Sequence, residues 1–94
     1  MNTDSPTKPV SRGAEEMKEL VEMMARALVD TPEDVRVTET AGESVVILEI
    51  SVGSDDIGKV IGKEGRIANA IRTVVKAAAA KHDKKVTVEI ITPN

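Results

Sequence analysis

The segment IGKVIGKEGRI, residues 57–67, sets two glycines, Gly62 and Gly65, three positions apart. Apolar residues at helical spacing precede Gly62, and a second helical pattern begins around Arg66. The segment therefore predicts a short helix of about two turns that ends at Gly62, a four-residue connection, and a second helix. So tight a connection favours positive φ or close backbone packing, which glycine permits at little steric cost.

The sequence on either side of this segment predicts strands as well as helices. Residues 35–39 alternate apolar and polar side chains, which predicts a strand. Residues 44–52 are apolar on one whole face and on half of the other, which predicts a central strand, and the short turn between the two strands indicates an antiparallel hairpin. Ser54 begins a Ser-Asp-Asp run typical of a helix start, with its hydroxyl as the cap. A last strand is predicted around 86–90. The second helix is expected to face inward with Ile67, Ile71, Val74 and Ala78.

The N-terminal part of the chain predicts a tail and one more helix. Residues 1–13 are polar and contain two prolines and a glycine, which favours a disordered tail. Helical spacing begins near Ala14, and Pro32 ends it. The apolar stripe of this helix is Met17, Leu20, Val21, Met24 and Leu28. The predicted order is α-β-β-α-α-β, with one domain over residues 14–92.

Composition excludes several classes of protein. The 94 residues suffice for one domain, and they contain no Phe, Tyr or Trp. RNA-recognition-motif sheets and OB-folds stack bases on aromatic rings, so any bound nucleic acid must instead contact backbone, aliphatic side chains and charge. The absence of cysteine excludes disulfides and thiolate metal sites. With no long apolar run or signal peptide, we expect a soluble, cytoplasmic protein.

Charge is distributed unevenly along the chain. The formal net charge is −3, and residues 1–54 carry five Lys/Arg against eleven Asp/Glu. Residues 55–85 reverse this balance, with eight Lys/Arg against four Asp/Glu. A local positive region can attract a polyanion despite an acidic total, although ordinary solvated helix faces would explain the same pattern.

The four-residue loop itself has two interpretations. Loop amides free of side chains, at the N-terminus of a helix and beside Lys63 and Arg66, would bind a phosphate. Glu64 is expected to point to solvent. A G-x-x-G tetrapeptide is also compatible with a plain helix corner that binds nothing. It is neither a Walker A loop, whose spacing is missing, nor a dinucleotide fingerprint, because it joins helix to helix.

The loop and its flanks resemble the KH family, whose G-x-x-G loop contacts the backbone of four nucleotides. The resemblance covers residues 14–92, and the element order is similar to that of type II (bacterial) KH domains, specifically the single-domain KhpA-like family. It implies an α+β type II KH fold, with a three-stranded mixed sheet and helices packed on one face. The RNA-binding residues it implies are Ile57, Gly58, Lys59, Ile61, Gly62, Lys63, Glu64, Gly65, Arg66 and Asn69.

The resemblance also implies a function and its partners. We expect a non-enzymatic protein, without cofactor or metal, that binds single-stranded RNA in a groove between this loop and the last strand. The role implied is that of an RNA chaperone or post-transcriptional regulator, acting as a homodimer or as a heterodimer with another KH protein. The alternative is a protein-interaction subunit whose partner contacts most of the RNA. Aspartate at both loop glycines is expected to abolish binding and preserve the fold.

Overall fold

The computed structural model describes residues 12–92, which form three helices and three strands. Their bounds in chain order are α1 Arg12–Leu28, β1 Arg36–Ala41, β2 Val45–Ser51, α2 Ile57–Ile61, α3 Arg66–Lys81 and β3 Lys85–Ile90. Single 3-10 turns lie at Pro32–Asp34, Ser54–Asp56 and Lys63–Gly65. The predicted α+β class and the order α-β-β-α-α-β are confirmed, whereas the predicted tail falls almost wholly outside the described residues.

The sheet is mixed and has β2 at its centre. β1 pairs with β2 antiparallel, and β3 pairs with β2 parallel. A parallel neighbour requires a crossover connection, which α2 and α3 supply between β2 and β3. Within the described part of the chain, β3 is therefore an edge strand with one side unpaired, and α3 lies beside it.

The core lies between one face of the sheet and the helices. Alternate residues of β2, namely Val46, Leu48 and Ile50, are fully buried, as predicted for a central strand. Val21 of α1 and Val75 of α3 pack in the same cluster. Fully burying each of these side chains contributes roughly 1.5–3 kcal/mol.

The buried stripe of α3 differs from the predicted one by one position. Val74 was expected to face inward, but it is 44% exposed, and the neighbouring Val75 is fully buried. Residues Ala68, Ile71, Val75 and Ala79, which recur every three or four positions, form the buried face. Two adjacent valines fit a helical pattern equally well, and the crossing angle of the helix decides between them.

The start of α2 is held by a buried carboxylate rather than by the predicted serine cap. Ser54 makes no capping hydrogen bond, so that expectation is wrong. Asp56 is only 3% exposed, and its Oδ2 accepts a hydrogen bond of 3.0 Å from the backbone N–H of Thr31. The contact joins α2 to the connection after α1, and it therefore fixes where the loop that follows α2 begins.

Helix α1 begins at Arg12, two residues before the predicted start of the domain. The reason is packing against the end of α3, where Gly13 lies directly against the ring of His82. A Cβ at Gly13 would approach His82 Cγ to 2.6 Å. The Nε2 of His82 also lies 3.2 Å from Glu16 Oε1, one turn further along α1. The glycine interpreted as part of a tail is instead a helix–helix contact.

Candidate nucleic-acid interface

The loop between α2 and α3 adopts a backbone that requires glycine at its first position. Gly62 has φ 79° and ψ 171°, a combination that essentially only glycine adopts. A Cβ at Gly62 would lie 2.6 Å from Ile67 Cγ1 and 2.8 Å from Ile67 N. Gly62 is therefore a close contact between the loop and the first turn of α3, which fixes the direction in which α3 leaves the loop.

The second loop glycine, Gly65, is required for its backbone conformation and not for close packing. Gly65 has φ 76° and ψ 12°, in the left-handed helical region. A Cβ added to Gly65 would meet only Asn69 Nδ2, at 4.0 Å. Glu64 is left-handed as well, with φ 57°. The two positions are strained for most side chains, but Gly65 has open space in front of it, as a surface that receives a ligand must have.

The loop leaves two of its own amides without a partner. The N–H groups of Gly62 and Gly65 donate to the carbonyls of Gly58 and Gly62, at 2.8 and 3.1 Å. Arg66 N–H donates to Lys63 O. Within residues 12–92, no hydrogen bond uses the N–H of Lys63 or Glu64. The negative φ of Lys63 followed by the positive φ of Glu64 is the alternation that turns successive amides toward one concave anion site.

Charge at the loop is positive on balance, with the two cations Lys63 and Arg66 and the one carboxylate of Glu64. The side chains of Arg66 and Glu64 are 80% and 70% exposed and lie 3.6 Å apart. A pair so exposed contributes little to stability, so it does not hold Arg66 in one orientation. Glu64 points to solvent, as expected. Lys63 is also exposed, and α3 directs the positive end of a 16-residue helix toward the same region.

Lys59 is engaged elsewhere in the structure. Its Nζ lies 3.4 Å from Asp30 Oδ2 and 3.8 Å from Asp56 Oδ1. Both carboxylates belong to the connections before α2 rather than to the loop after it. A role of Lys59 in binding remains a prediction, and it would require this side chain to leave two negative partners.

A cleft runs between α3 and the unpaired side of β3, where the second wall of the groove was predicted. Its volume is about 220 Å³. The cleft is lined by Arg72, Lys76, Val86, Thr87 and Val88. Two cations therefore face a strand edge, which is an arrangement that accommodates a negatively charged, flat ligand.

The other predicted site residues lie on α2, before the loop, and on α3, after it. Gly58 is exposed and has open space around it, and Ile57 and Ile61 are half-buried beside it. Asn69 is exposed on α3, where its Oδ1 accepts a hydrogen bond from Arg72. Arg72 was not among the predicted site residues. Its position three residues after Asn69 places both side chains on one face of the helix, which was the only hint in the sequence. That this face of α3 lies against β3 is seen only in the structure.

A second, apolar groove lies on the opposite flank of α3. Its volume is about 380 Å³, and Arg66 is its one charged lining residue. The apolar residues that line it include Met24, Leu28, Ile67, Ala70, Ile71 and Val74. This groove explains why Val74 is exposed, because the side chain covers one wall of an open apolar surface between α1 and α3.

Neither a membrane span nor a metal site emerges from the described residues. None of the helices in 12–92 has the length and apolar character needed to cross a bilayer. The same residues contain no group of three His, Cys, Asp or Glu side chains suited to holding a metal ion.

Solved structures with a similar fold support the observed architecture. Era in complex with MgGDPNP and nucleotides 1506–1542 of 16S ribosomal RNA superposes with a TM-score of 0.64 at 16% identity, over 97% of this chain. Aquifex aeolicus Era bound to GDP.AlF4- gives a TM-score of 0.63. The present chain spans only 37–38% of those Era chains. At such low identity, the likeness concerns the fold alone.

Comparisons of sequence give much higher identities than these structural matches. The chain is 68% identical over 75 residues to the RNA-binding protein KhpA of Clostridium perfringens, covering 80% of this chain and all of that protein. The RNA-binding protein KhpA of Aquifex aeolicus is 48% identical over 75 residues, covering 80% of this chain and 95% of that protein. The family model described as KhpA/KhpB, KH domain, matches residues 18–90. The protein therefore belongs to the KhpA/KhpB KH-domain family.

Proposed function

We propose that this protein is a non-enzymatic module that binds single-stranded RNA, with the loop Gly62–Gly65 holding the phosphate backbone. The observation that carries the proposal is the pair of free amides, Lys63 and Glu64, at the N-terminus of α3. Unpaired N–H donors at a helix N-terminus form an anion site. The name of the relatives, RNA-binding protein KhpA, supports RNA as the source of that anion.

The cleft beside β3 supports a single-stranded rather than a duplex ligand. Its walls are a helix and a strand edge, and its volume of about 220 Å³ accommodates individual bases and not a double helix. With no aromatic residue in the chain, bases would contact aliphatic side chains and backbone groups. Such contacts discriminate weakly, which suits a cytoplasmic RNA chaperone or post-transcriptional regulator that acts on many transcripts.

Salt dependence provides the test of this function. Changing Lys63 and Arg66 to Gln should weaken binding to a single-stranded oligoribonucleotide and reduce the slope of log affinity against log salt. For each phosphate that the variant no longer neutralises, the magnitude of the slope should fall by about 0.7. The control is Lys18→Gln on α1, which removes one charge away from the loop and should leave the slope unchanged. Fluorescence anisotropy across a salt series measures both quantities.

The alternative function is a protein-interaction subunit whose partner contacts the RNA. The net charge of −3 favours this alternative. It predicts that the isolated protein binds RNA weakly, with a slope that the change of Lys63 and Arg66 does not alter. That result would remove the loop from the mechanism.

One KH groove contacts few nucleotides, so we propose that a second copy of this chain adds to the affinity. The surface for this pairing is the apolar groove between α1 and α3. It lies on the flank of α3 away from the cleft, so a dimer formed there leaves the cleft open and approaches the loop only at Arg66, which lines this groove. A groove lined almost entirely by apolar atoms is poorly suited to remain in water.

Introducing a charge into this groove should separate the dimer. Val74→Glu adds a carboxylate at a residue that is 44% exposed, so the fold should tolerate it, whereas an apolar interface should not. Ala77→Glu, on an exposed part of α3 outside the groove, is the control. Sedimentation velocity should show a dimer for the wild type and for Ala77→Glu, and a monomer for Val74→Glu. A monomeric wild type would contradict the pairing of two copies through this groove.

A further inference from the structure

Arg72 is held in one orientation across the cleft. Its Nε donates a hydrogen bond of 3.1 Å to the carbonyl of Val88, and its Nη1 donates one of 3.1 Å to Asn69 Oδ1. One partner belongs to β3 and the other to α3, so the guanidinium bridges both walls. A side chain fixed at two points loses little further entropy when a ligand binds to its remaining donors.

Arg72 thereby binds a carbonyl at the centre of the unpaired side of β3. The N–H groups of Lys85 and Ile91 donate to carbonyls at the ends of β2, at 3.1 and 2.8 Å. Because peptide groups alternate along a strand, those of Val86, Val88 and Ile90 face away from β2. Arg72 uses the middle carbonyl. An added protein strand would need that carbonyl for pairing, so the edge is better suited to a ligand that contacts Arg72 itself.

The donors that Arg72 keeps free define the chemistry of such a ligand. A guanidinium has five N–H donors, and the two hydrogen bonds to Val88 and Asn69 use two of them. Its Nη2 donates to no residue within 12–92. The oxygen of Asn69 already accepts a bond, whereas its amide nitrogen can still donate. Arg72 therefore keeps three free N–H donors at the cleft.

Guanine is the base that matches this surface. Its O6 and N7 are adjacent acceptors that take a bidentate pair of N–H donors from one guanidinium. Adenine presents an amino group beside N7, and cytosine presents an amino group at position 4, so each would direct a donor at another donor. Uracil offers a single acceptor at the corresponding edge.

We propose that Arg72 determines base specificity in this protein by reading one guanine in the cleft between α3 and β3. The inference rests on the proposed RNA-binding function and deepens it, because it assigns a base preference where the loop supplies only phosphate contacts. Phosphate contacts position a strand without reading its sequence.

The test uses short oligouridylates that carry, at one central position, guanosine, adenosine or 7-deazaguanosine. The wild type should bind the guanosine strand about fivefold or more tightly than either of the others. Arg72→Met removes the guanidinium donors and keeps a side chain of similar length, so it should bind all three strands with equal affinity. Lys76→Gln, on the same side of the cleft, should weaken all three strands alike and keep the preference.

Two results would overturn the assignment: equal wild-type affinities for guanosine and adenosine strands, or a guanosine preference that persists in Arg72→Met. Thermal unfolding of Arg72→Met should match the wild type within a few degrees, because the bond from Arg72 to Val88 O is only part-buried and water can replace it. Failure of the proposed function looks different, since no strand would then bind through the loop and Gly65→Asp would have no effect. In that case the guanine assignment is wrong as well.

Discussion

Gly62→Ala is expected to lower the free energy of unfolding by about 3 kcal/mol, the largest effect of any small substitution in the loop. Its φ of 79° with ψ of 171° is costly for any residue with a Cβ. The added methyl would also lie 2.6 Å from Ile67 Cγ1 and 2.8 Å from the backbone nitrogen of Ile67. Backbone cannot move aside as a flexible side chain can, so the first turn of α3 would have to shift.

The matched control for this substitution is four residues away. A Cβ at Gly58 would have no atom within 4 Å, and Gly58 lies within α2. Gly58→Ala should therefore stabilise the protein by about 0.5–1 kcal/mol through helix propensity. Thermal unfolding followed by circular dichroism separates the two, with a fall of about 10 °C or more for Gly62→Ala and a small rise for Gly58→Ala. Equal melting temperatures for the two variants would show that the loop does not need a glycine at position 62.

This contrast changes how loop variants should be designed. Aspartate at both glycines was expected to abolish binding without affecting the fold, and for Gly62 that expectation is wrong. A double variant would lose RNA binding through distortion of α3 even if the loop never touched RNA. Only Gly65, with open space in front of it, allows charge to be tested separately from folding.

Elements with strong local patterns were predictable from the sequence. The alternation through Val46, Leu48 and Ile50 identified the central strand, because a buried face of a sheet repeats every second residue. The end of α2 at Gly62 and the start of α3 at Arg66 were also predicted correctly. In each case the local preference and the final packing agree.

Features that depend on tertiary neighbours were not predictable. Asp56 lies at the N-terminus of α2, as expected, but local sequence does not show that its carboxylate is buried against the backbone of Thr31, 25 positions away. Val74 and Val75 could not be ranked until the position of α3 was known. The hydrogen bond from Arg72 to Val88 depends on β3 lying beside α3, which local spacing does not show.

The candidate site divides in the same way. The two loop glycines and Arg66 were assigned to the candidate site from their spacing and charge, and their role in binding stays a prediction. Which amides remain free was not, since that depends on the bonds from Gly65 to Gly62 and from Arg66 to Lys63. The contact of Lys59 with Asp30 was equally hidden, because Asp30 lies in the connection after α1 and is distant in sequence.

A negative charge at Gly65 should abolish most RNA binding while an isosteric neutral side chain should not. Asp and Asn both tolerate the left-handed backbone of this residue, which has φ 76°. Both also fit the open space, where the nearest atom is Asn69 Nδ2 at 4.0 Å. The variants therefore share their folding cost and differ in one charge, placed beside the free amides of Lys63 and Glu64.

The most direct measurement is a titration of one single-stranded oligoribonucleotide, at low salt, with the wild type, Gly65→Asn and Gly65→Asp. If phosphate lies against the loop, Gly65→Asn should bind within about threefold of the wild type and Gly65→Asp about tenfold or more weakly, since like charges a few ångströms apart near a surface cost well over 1 kcal/mol. Equal affinities for the Asn and Asp variants, with both folded, would contradict the account and place the RNA elsewhere on the protein.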